Sequence, residues 1–311
     1  MTNTRGNNMT KIKKGKQLII ELGQMPPNVL TPEVLAGKFE LSIRAAIDVE
    51  LVGMRAVGGK KAYIGNTVLG KGKKITALIG KGVTFDSGGI SIKGGSGMKD
   101  MKFDMLGAAT VLAVGNAYIQ KPSSTLAVLA PCAENTFHDD TYRPGDILSY
   151  PDGTRVEIDN TDAEGRLILA DAILKIRSDV SLIITIATLT GAAAAAVGEA
   201  TAVFSNDDKV AAEFLAVAGA EGERAWRLPL WKEHREAIDV KWEKKKKGDT
   251  SAFISNCVRG FPGASTAAAF LEVFVGNTPW LHLDIAGSAY KDGVPTGAML
   301  KSLVTFLNNR E

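Results

Sequence analysis

Along the second half of the chain, short apolar runs alternate with longer segments whose apolar residues return every three or four positions. The runs at 126–129, 182–187, 202–204 and 280–285, with the alternating stretch 155–158, predict strands. The segments 166–176, 209–218, 265–275 and 298–308 predict helices. Such alternation predicts an α/β fold: a mixed, centrally parallel β-sheet flanked by helices on both faces. The run 182–187 is apolar at almost every position, as a strand covered on both sides requires.

Before residue 125 the pattern is more broken. Residues 1–16 are polar and lysine-rich and predict a flexible tail, leaving 17–311 as a single domain. Thr31-Pro32-Glu33 predicts a helix start, with Thr31 as cap and Pro32 in the first turn, running to about residue 50. Glycines between 53 and 72 predict hairpin-like turns. Among them, Gly65-Asn66-Thr67-Val68-Leu69-Gly70-Lys71-Gly72 nearly spells a phosphate-binding loop. Gly72 stands where Ser or Thr must hold magnesium, and no helical pattern follows, so a turn between two strands is the better reading. A strand over 75–79 then delivers Gly80-Lys81-Gly82-Val83-Thr84-Phe85-Asp86-Ser87-Gly88-Gly89 to a loop. Residues 90–93 alternate like a strand that presents Lys93, and a helix is expected over 108–119.

Charge changes the picture at one place. Asn160-Thr161-Asp162-Ala163-Glu164-Gly165-Arg166-Leu167 packs two acids and an arginine where a loop enters an apolar helix. Burying two carboxylates costs several kcal/mol unless cations offset it. Lys81, Asp86, Lys93 and Asp104 fall at other strand ends, where ligand sites of open α/β sheets form, so all seven groups can converge. Four clustered carboxylates demand divalent cations or raised pKa values. A two-metal centre of hard oxygen ligands, suited to Mg²⁺ or Mn²⁺ and open to Zn²⁺, meets that demand. A network of ion pairs tying loops together meets it equally well on composition alone.

Composition narrows the classes. With 311 residues, 45% hydrophobic and 23% charged, the chain can bury a full core. A net charge of +3 and few aromatics argue against a nucleic-acid partner. No apolar run is long enough to span a bilayer, and the first residues lack the apolar core of a signal peptide. The expected location is cytoplasmic, with no membrane partner. Cys132 and Cys257 fit reduced thiols. His138, His234 and His282 match no metal-binding spacing, and the lysine run 244–247 reads as a solvated loop.

The segment from Asn160 to Leu167, with Ala170-Asp171, resembles the signature of the leucyl (cytosol) aminopeptidases, peptidase family M17. Further landmarks follow in order: Pro27-Asn28-Val29-Leu30-Thr31-Pro32, the Gly80 to Gly89 segment, Ile90-Ser91-Ile92-Lys93, Met101-Lys102-Phe103-Asp104-Met105, Ala187-Thr188-Leu189-Thr190-Gly191-Ala192 and Leu283-Asp284-Ile285-Ala286-Gly287. The resemblance implies the zinc-peptidase-like catalytic domain of that family. It implies two divalent metal ions, Mn²⁺ or Zn²⁺ with Mg²⁺ or Co²⁺ as alternatives, held by Lys81, Asp86, Asp104, Asp162 and Glu164. Lys81 as a ligand would be neutral. Lys93 would polarise the scissile carbonyl, and Arg166 would hold a bicarbonate acting as general base. Met101, Thr188, Gly191, Ala286 and Ala289 would surround the first side chain of a peptide substrate, with apolar residues such as leucine preferred. The implied assembly is a homohexamer, a dimer of trimers. Relatives carry an additional N-terminal domain, so this chain is expected to hold the catalytic part alone. Leu106 stands where the family usually has glycine, which predicts a shifted helix start behind Asp104. A catalytically silent structural protein on the same fold is the alternative; loss of a ligand or of Lys93 would have favoured it, and all seven positions are intact.

Overall fold

The computed structural model of the chain describes residues 2–39, 51–59, 62–241 and 252–310. The elements begin with helix α1 (Thr2–Gln24), α2 (Pro32–Gly37) and α3 (Val52–Gly58). Strands β1 (Tyr63–Gly70), β2 (Lys74–Gly80) and β3 (Gly82–Asp86) follow. A 3₁₀ turn at Met98–Phe103 leads into α4 (Leu106–Ala117), then β4 (Ser124–Asn135), β5 (Ile147–Ser149), β6 (Arg155–Glu157) and α5 (Gly165–Ile176). The remainder is β7 (Leu182–Ala187), α6 (Gly191–Val197), β8 (Thr201–Ser205), α7 (Asp208–Ala220), β9 (Ala225–Arg227), α8 (Lys232–Ala237), β10 (Phe253–Ser255), α9 (Gly263–Val275), β11 (Trp280–Asp284), the short pair β12 (Tyr290–Lys291) and β13 (Val294–Pro295), and α10 (Leu300–Asn309).

The main sheet has the order β1-β4-β2-β7-β11-β8-β9, with β3 beside the second half of β4. β4, β2, β7 and β11 are mutually parallel, while β1 and β8 run antiparallel to their inner neighbours, so the centrally parallel mixed sheet is as expected. Period-two alternation divides its side chains between two cores. Leu182, Ile184 and Ile186 of β7 join Leu281 and Leu283 of β11 under α1, α4, α7 and α10. Ile183 and Ala187 face the other way, toward α3, α5 and α9. Full burial of each of these leucines and isoleucines contributes roughly 1.5–3 kcal/mol.

Several expectations are corrected. The stretch read as a tail belongs to α1, which continues to Gln24. Its lysines decided the reading, yet Ile12, Ile19 and Leu22 form a stripe on the α4 side, and Gly15 brings the two helices so close that a Cβ there would meet Ala113 at 3.3 Å. The helix at Thr31 is capped as foreseen but stops at Gly37; the rest of its expected span, from residue 40, lies outside the described residues, as does the 244–247 run. Gly53 and Gly58 sit in α3 and Gly65 and Gly70 in β1, where Gly65 lets Phe39 close over the strand, while Gly72 does stand in the connection between β1 and β2. Val83 and Asp86 belong to β3, paired with β4, and are no loop, whereas Ile90 to Lys93 form a turn, a bend and irregular backbone and no strand. α4 begins two residues before its expected start, and Leu106 is buried, its side chain lying against the α1 backbone at Gly23.

Candidate metal centre

Lys81 sits at the break between β2 and β3, Asp86 ends β3, Asn135 ends β4, Thr188 follows β7 and Asp284 ends β11. All are at the carboxyl ends of parallel strands, the place where such sheets form ligand sites. Asp104 precedes α4, and Asp162 and Glu164 lie on the loop entering α5. The seven groups singled out from the sequence all line one cavity of about 780 Å³.

Two ion-pair nodes organise it. Lys81 Nζ lies 2.7 Å from Asp104 Oδ2 and 2.7 Å from Glu164 Oε1, and donates to the Thr188 carbonyl at 3.1 Å. Lys93 Nζ lies 2.8 Å from Asp86 Oδ2 and also contacts Asp162 Oδ1. Burial alone would lower the pKa of both lysines; the carboxylates outweigh it and raise both above the ordinary lysine value. Burial raises Asp104, Asp162 and Glu164, the lysines opposing it and the neighbouring acids reinforcing it. Arg166 is buried in the first turn of α5, which pulls its pKa down, with Cys257, Glu164 and Asp284 opposing.

Backbone and amide groups fix this arrangement. Gly88 N donates to Asp86 Oδ1 at 2.9 Å with φ at +87°, and a Cβ there would strike Ser91 O at 2.6 Å. Buried Asn135 donates to Asp86 Oδ1 at 2.8 Å and to the Thr161 carbonyl at 3.0 Å. Thr188 Oγ1 donates to Asp104 Oδ1 at 2.7 Å. Asp284 in turn accepts from Leu189 N–H at 3.1 Å and Thr190 Oγ1 at 2.7 Å, holding the loop that carries Thr188.

The donor set fits divalent cations. Four carboxylates face two ammonium groups, and oxygens of Asp86, Asp162 and Glu164 all lie within 4.8 Å of one another. Asp104 Oδ2 and Asp162 Oδ1 are buried, each facing a lysine ammonium group. Surplus negative charge of this kind is what metal ions neutralise.

Of the residues expected around a substrate side chain, Met101, Thr188, Gly191 and Ala286 line the cavity. Ala289 does not: it is 2% exposed within the apolar core beneath, one turn past Ile285, whose carbonyl accepts its N–H. Sequence reasoning gave no role to Asn135, Asn256 or Cys257. Asp284 stood inside a quoted landmark, but nothing in the letters marks a cysteine or asparagine after a three-residue strand as part of a site.

A profile of the cytosol aminopeptidase family, catalytic domain, matches residues 60–304, and the chain belongs to this family. It is 38% identical over 326 residues to a protein of Chromobacterium violaceum named "Probable cytosol aminopeptidase", covering 96% of this chain and 60% of that protein. It is 40% identical over 306 residues to a protein of the same name from Roseiflexus castenholzii, covering 91% and 61%. The chain thus spans about three fifths of the length of these curated relatives. Among solved structures, the bottromycin maturation enzyme BotP in complex with Mn superposes with a TM-score of 0.84 at 31% identity, covering 96% of this chain and 70% of that one.

Proposed function

We propose that the chain is a metal-dependent aminopeptidase that releases N-terminal residues, apolar ones such as leucine preferred, from peptides. The observation that carries this reading is the convergence of all seven charged groups on one cavity. Lys81, Asp86, Asp104, Asp162 and Glu164 would hold two divalent ions, Mn²⁺ or Zn²⁺; the related enzyme BotP has been solved in complex with Mn. Bound there, the ions would supply an acidified water and an anchor for the free amino group of the peptide.

The chain's own residues do the rest. Lys93, partly exposed at the cavity wall, offers a positive charge to a peptide carbonyl and to the oxyanion that develops on it. Arg166, a buried guanidinium, would hold a small anion, bicarbonate in this reading, which would supply the general base. Met101, Thr188, Gly191 and Ala286 line the cavity and would receive the first side chain of the peptide. The family resemblance extends this to a hexamer in the cytoplasm; among the described residues no helix is long and apolar enough to cross a membrane. A monomer in light scattering would refute the assembly.

The test is hydrolysis of leucine p-nitroanilide by chelator-stripped protein, with Mn²⁺ or Zn²⁺ restored and Asp162→Ala in parallel. Metal-restored activity absent from the variant supports the reading; a folded protein inert with every metal overturns it.

A further inference from the structure

Thr161 is fully buried between the loop that carries Asp162 and Glu164 and the segment that leads to Lys93. Its hydroxyl is bonded twice: it donates to the Gly88 carbonyl at 2.6 Å and accepts from Ser91 N–H at 2.7 Å. Its own N–H donates to Ser91 Oγ at 3.2 Å, so Thr161 and Ser91 hold each other reciprocally. Its carbonyl accepts from Tyr142 Oη at 2.5 Å and from Asn135 Nδ2 at 3.0 Å, both on buried side chains. Every polar atom of the residue is thereby used.

The segment it grips has little else to hold it. Lys93 N–H donates to the Ser87 carbonyl at 2.9 Å, which closes 87–93 into a loop. Within that loop Gly88 N–H bonds back to Asp86, and Gly89 N–H to Ser87 Oγ. Among the described residues, its hydrogen bonds to a more distant segment between those ends start from Gly88 O, Ser91 N–H and Ser91 Oγ, and all three end on Thr161. The two segments meet so closely that a Cβ on Gly89, whose φ is +65°, would lie 3.1 Å from Thr161 Oγ1. A valine at 161 has nearly the same shape but can neither donate nor accept. It would leave the buried Gly88 carbonyl unanswered and free the loop from its neighbour.

We infer that Thr161 is a positioning residue: it latches the loop ending in Lys93 to the loop bearing Asp162 and Glu164, so that the Lys93 ammonium and the two carboxylates are set as one unit. A divalent ion bound at Asp162 and Glu164 then also fixes the 88–93 backbone. By linkage the effect is reciprocal, and whatever fixes that backbone strengthens ion binding by the same factor. Thr161 itself touches no reacting atom and acts through Lys93 and the carboxylates. The part of Lys93 in this unit rests on the peptidase reading, whereas the latch shows itself in hydrogen exchange and ion binding alone.

The experiment compares full chains of wild type, Thr161→Val and Thr161→Ser. Amide hydrogen exchange of the 88–93 segment is followed by mass spectrometry in chelator-stripped protein and at saturating Mn²⁺, with occupancy checked by calorimetry. Mn²⁺ should slow exchange there by about tenfold in wild type, within the usual range of coupling between sites. Thr161→Val should lose that slowing and bind Mn²⁺ about 10–100-fold more weakly. Thr161→Ser, which keeps the hydroxyl, should recover most of both. On leucine p-nitroanilide at saturating Mn²⁺, Thr161→Val should lose at least about tenfold in kcat with KM little changed, because a displaced Lys93 fails the transition state rather than the bound peptide. Bound Mn²⁺ that leaves 88–93 exchange unchanged in wild type, full slowing in Thr161→Val, or a serine variant no better than the valine one overturns the inference. If Thr161→Val fails to fold, Ser91→Ala takes its place; it removes only the acceptor of Thr161 N–H and should give a smaller loss of slowing, and no loss overturns the inference. Slowing that follows this pattern in a protein that hydrolyses no anilide supports the latch and counts against the peptidase reading instead.

Discussion

Asn256 grips the chain at Asn160 from both sides: its side-chain amide donates to the Asn160 carbonyl at 2.7 Å, and its side-chain oxygen accepts from the Asn160 N–H at 3.2 Å. The same oxygen accepts from Asp159 N–H at 2.8 Å. One buried amide at the end of β10 thereby sets the loop that presents Asp162 and Glu164. Asn256→Ala should lower Mn²⁺ affinity by about 10–100-fold, the usual cost of removing a support behind a ligand. Asn256→Asp keeps the acceptor, loses the donors and should fall between. Titration calorimetry on the folded variants checks this; wild-type affinity in Asn256→Ala defeats it.

Gly165 opens α5 directly against Lys81. A Cβ there would lie 2.5 Å from Lys81 Cε and 2.7 Å from its Nζ. Glycine to alanine in an ordinary helix gains about 1 kcal/mol. Here the sign should reverse, because Lys81 must leave Asp104 and Glu164. We expect Gly165→Ala to melt below wild type and to bind Mn²⁺ at least about tenfold more weakly, the cost of misplacing a group beside the ligands. A higher melting temperature with unchanged affinity would contradict the proposed crowding.

Charge surplus at the centre makes the fold's stability depend on divalent ions. Mn²⁺ at about 100 times its Kd should stabilise the stripped chain by ~2.7 kcal/mol, which is roughly 2–4 °C of melting temperature per kcal/mol for a domain of about this size or a little smaller. Asp86→Asn should lose most of that shift in differential scanning fluorimetry. An equal shift in the variant would place the ions elsewhere.

Asp171 gives a pH signature away from the metal centre. Its carboxylate accepts from Val52 N–H at 3.1 Å and Met54 N–H at 2.7 Å, tying α5 to the start of α3. Burial nevertheless pushes its pKa up to about 7, the backbone N–H groups opposing. Its ordinary value is near 4, so between about pH 4 and 7 the folded state binds more proton than the unfolded one, and this contribution to stability falls as pH rises. Asp171→Asn cannot titrate and loses one acceptor. It should be less stable than wild type at pH 5, with the gap narrowing by pH 8 in denaturant titrations. A gap that stays constant with pH sinks the assignment.

How much of this the letters carry depends on the kind of signal. Leu182 to Ala187 and Gly165 to Ile176 announce themselves because burial on two faces, or on one stripe, leaves a strong period. The charged residues of the centre were legible because so many acids beside an apolar helix require an explanation. β3 was not: five residues beginning with glycine gain their identity from β4, a partner distant in sequence. α1 was misjudged because a few well-spaced apolar residues among many lysines decide its packing. Ala289 was placed by resemblance at a position the backbone turns inward, and Asn256 acts through hydrogen bonds that no periodicity records.

β4 is twelve residues long, and it pairs with β2 along its first half and with β3 along its second. Lys81 and Asp86 therefore stand at marks on a single rail. A residue gained or lost between Gly80 and Asp86 would shift Asp86 against β4, whose pairing with β3 already takes up one irregularity between Val83 and Asp86. Over evolutionary time this stretch is freer to exchange letters at half-buried Phe85 than at buried Val83, but it is closed to change in length, so an alignment of descendants should show it without gaps.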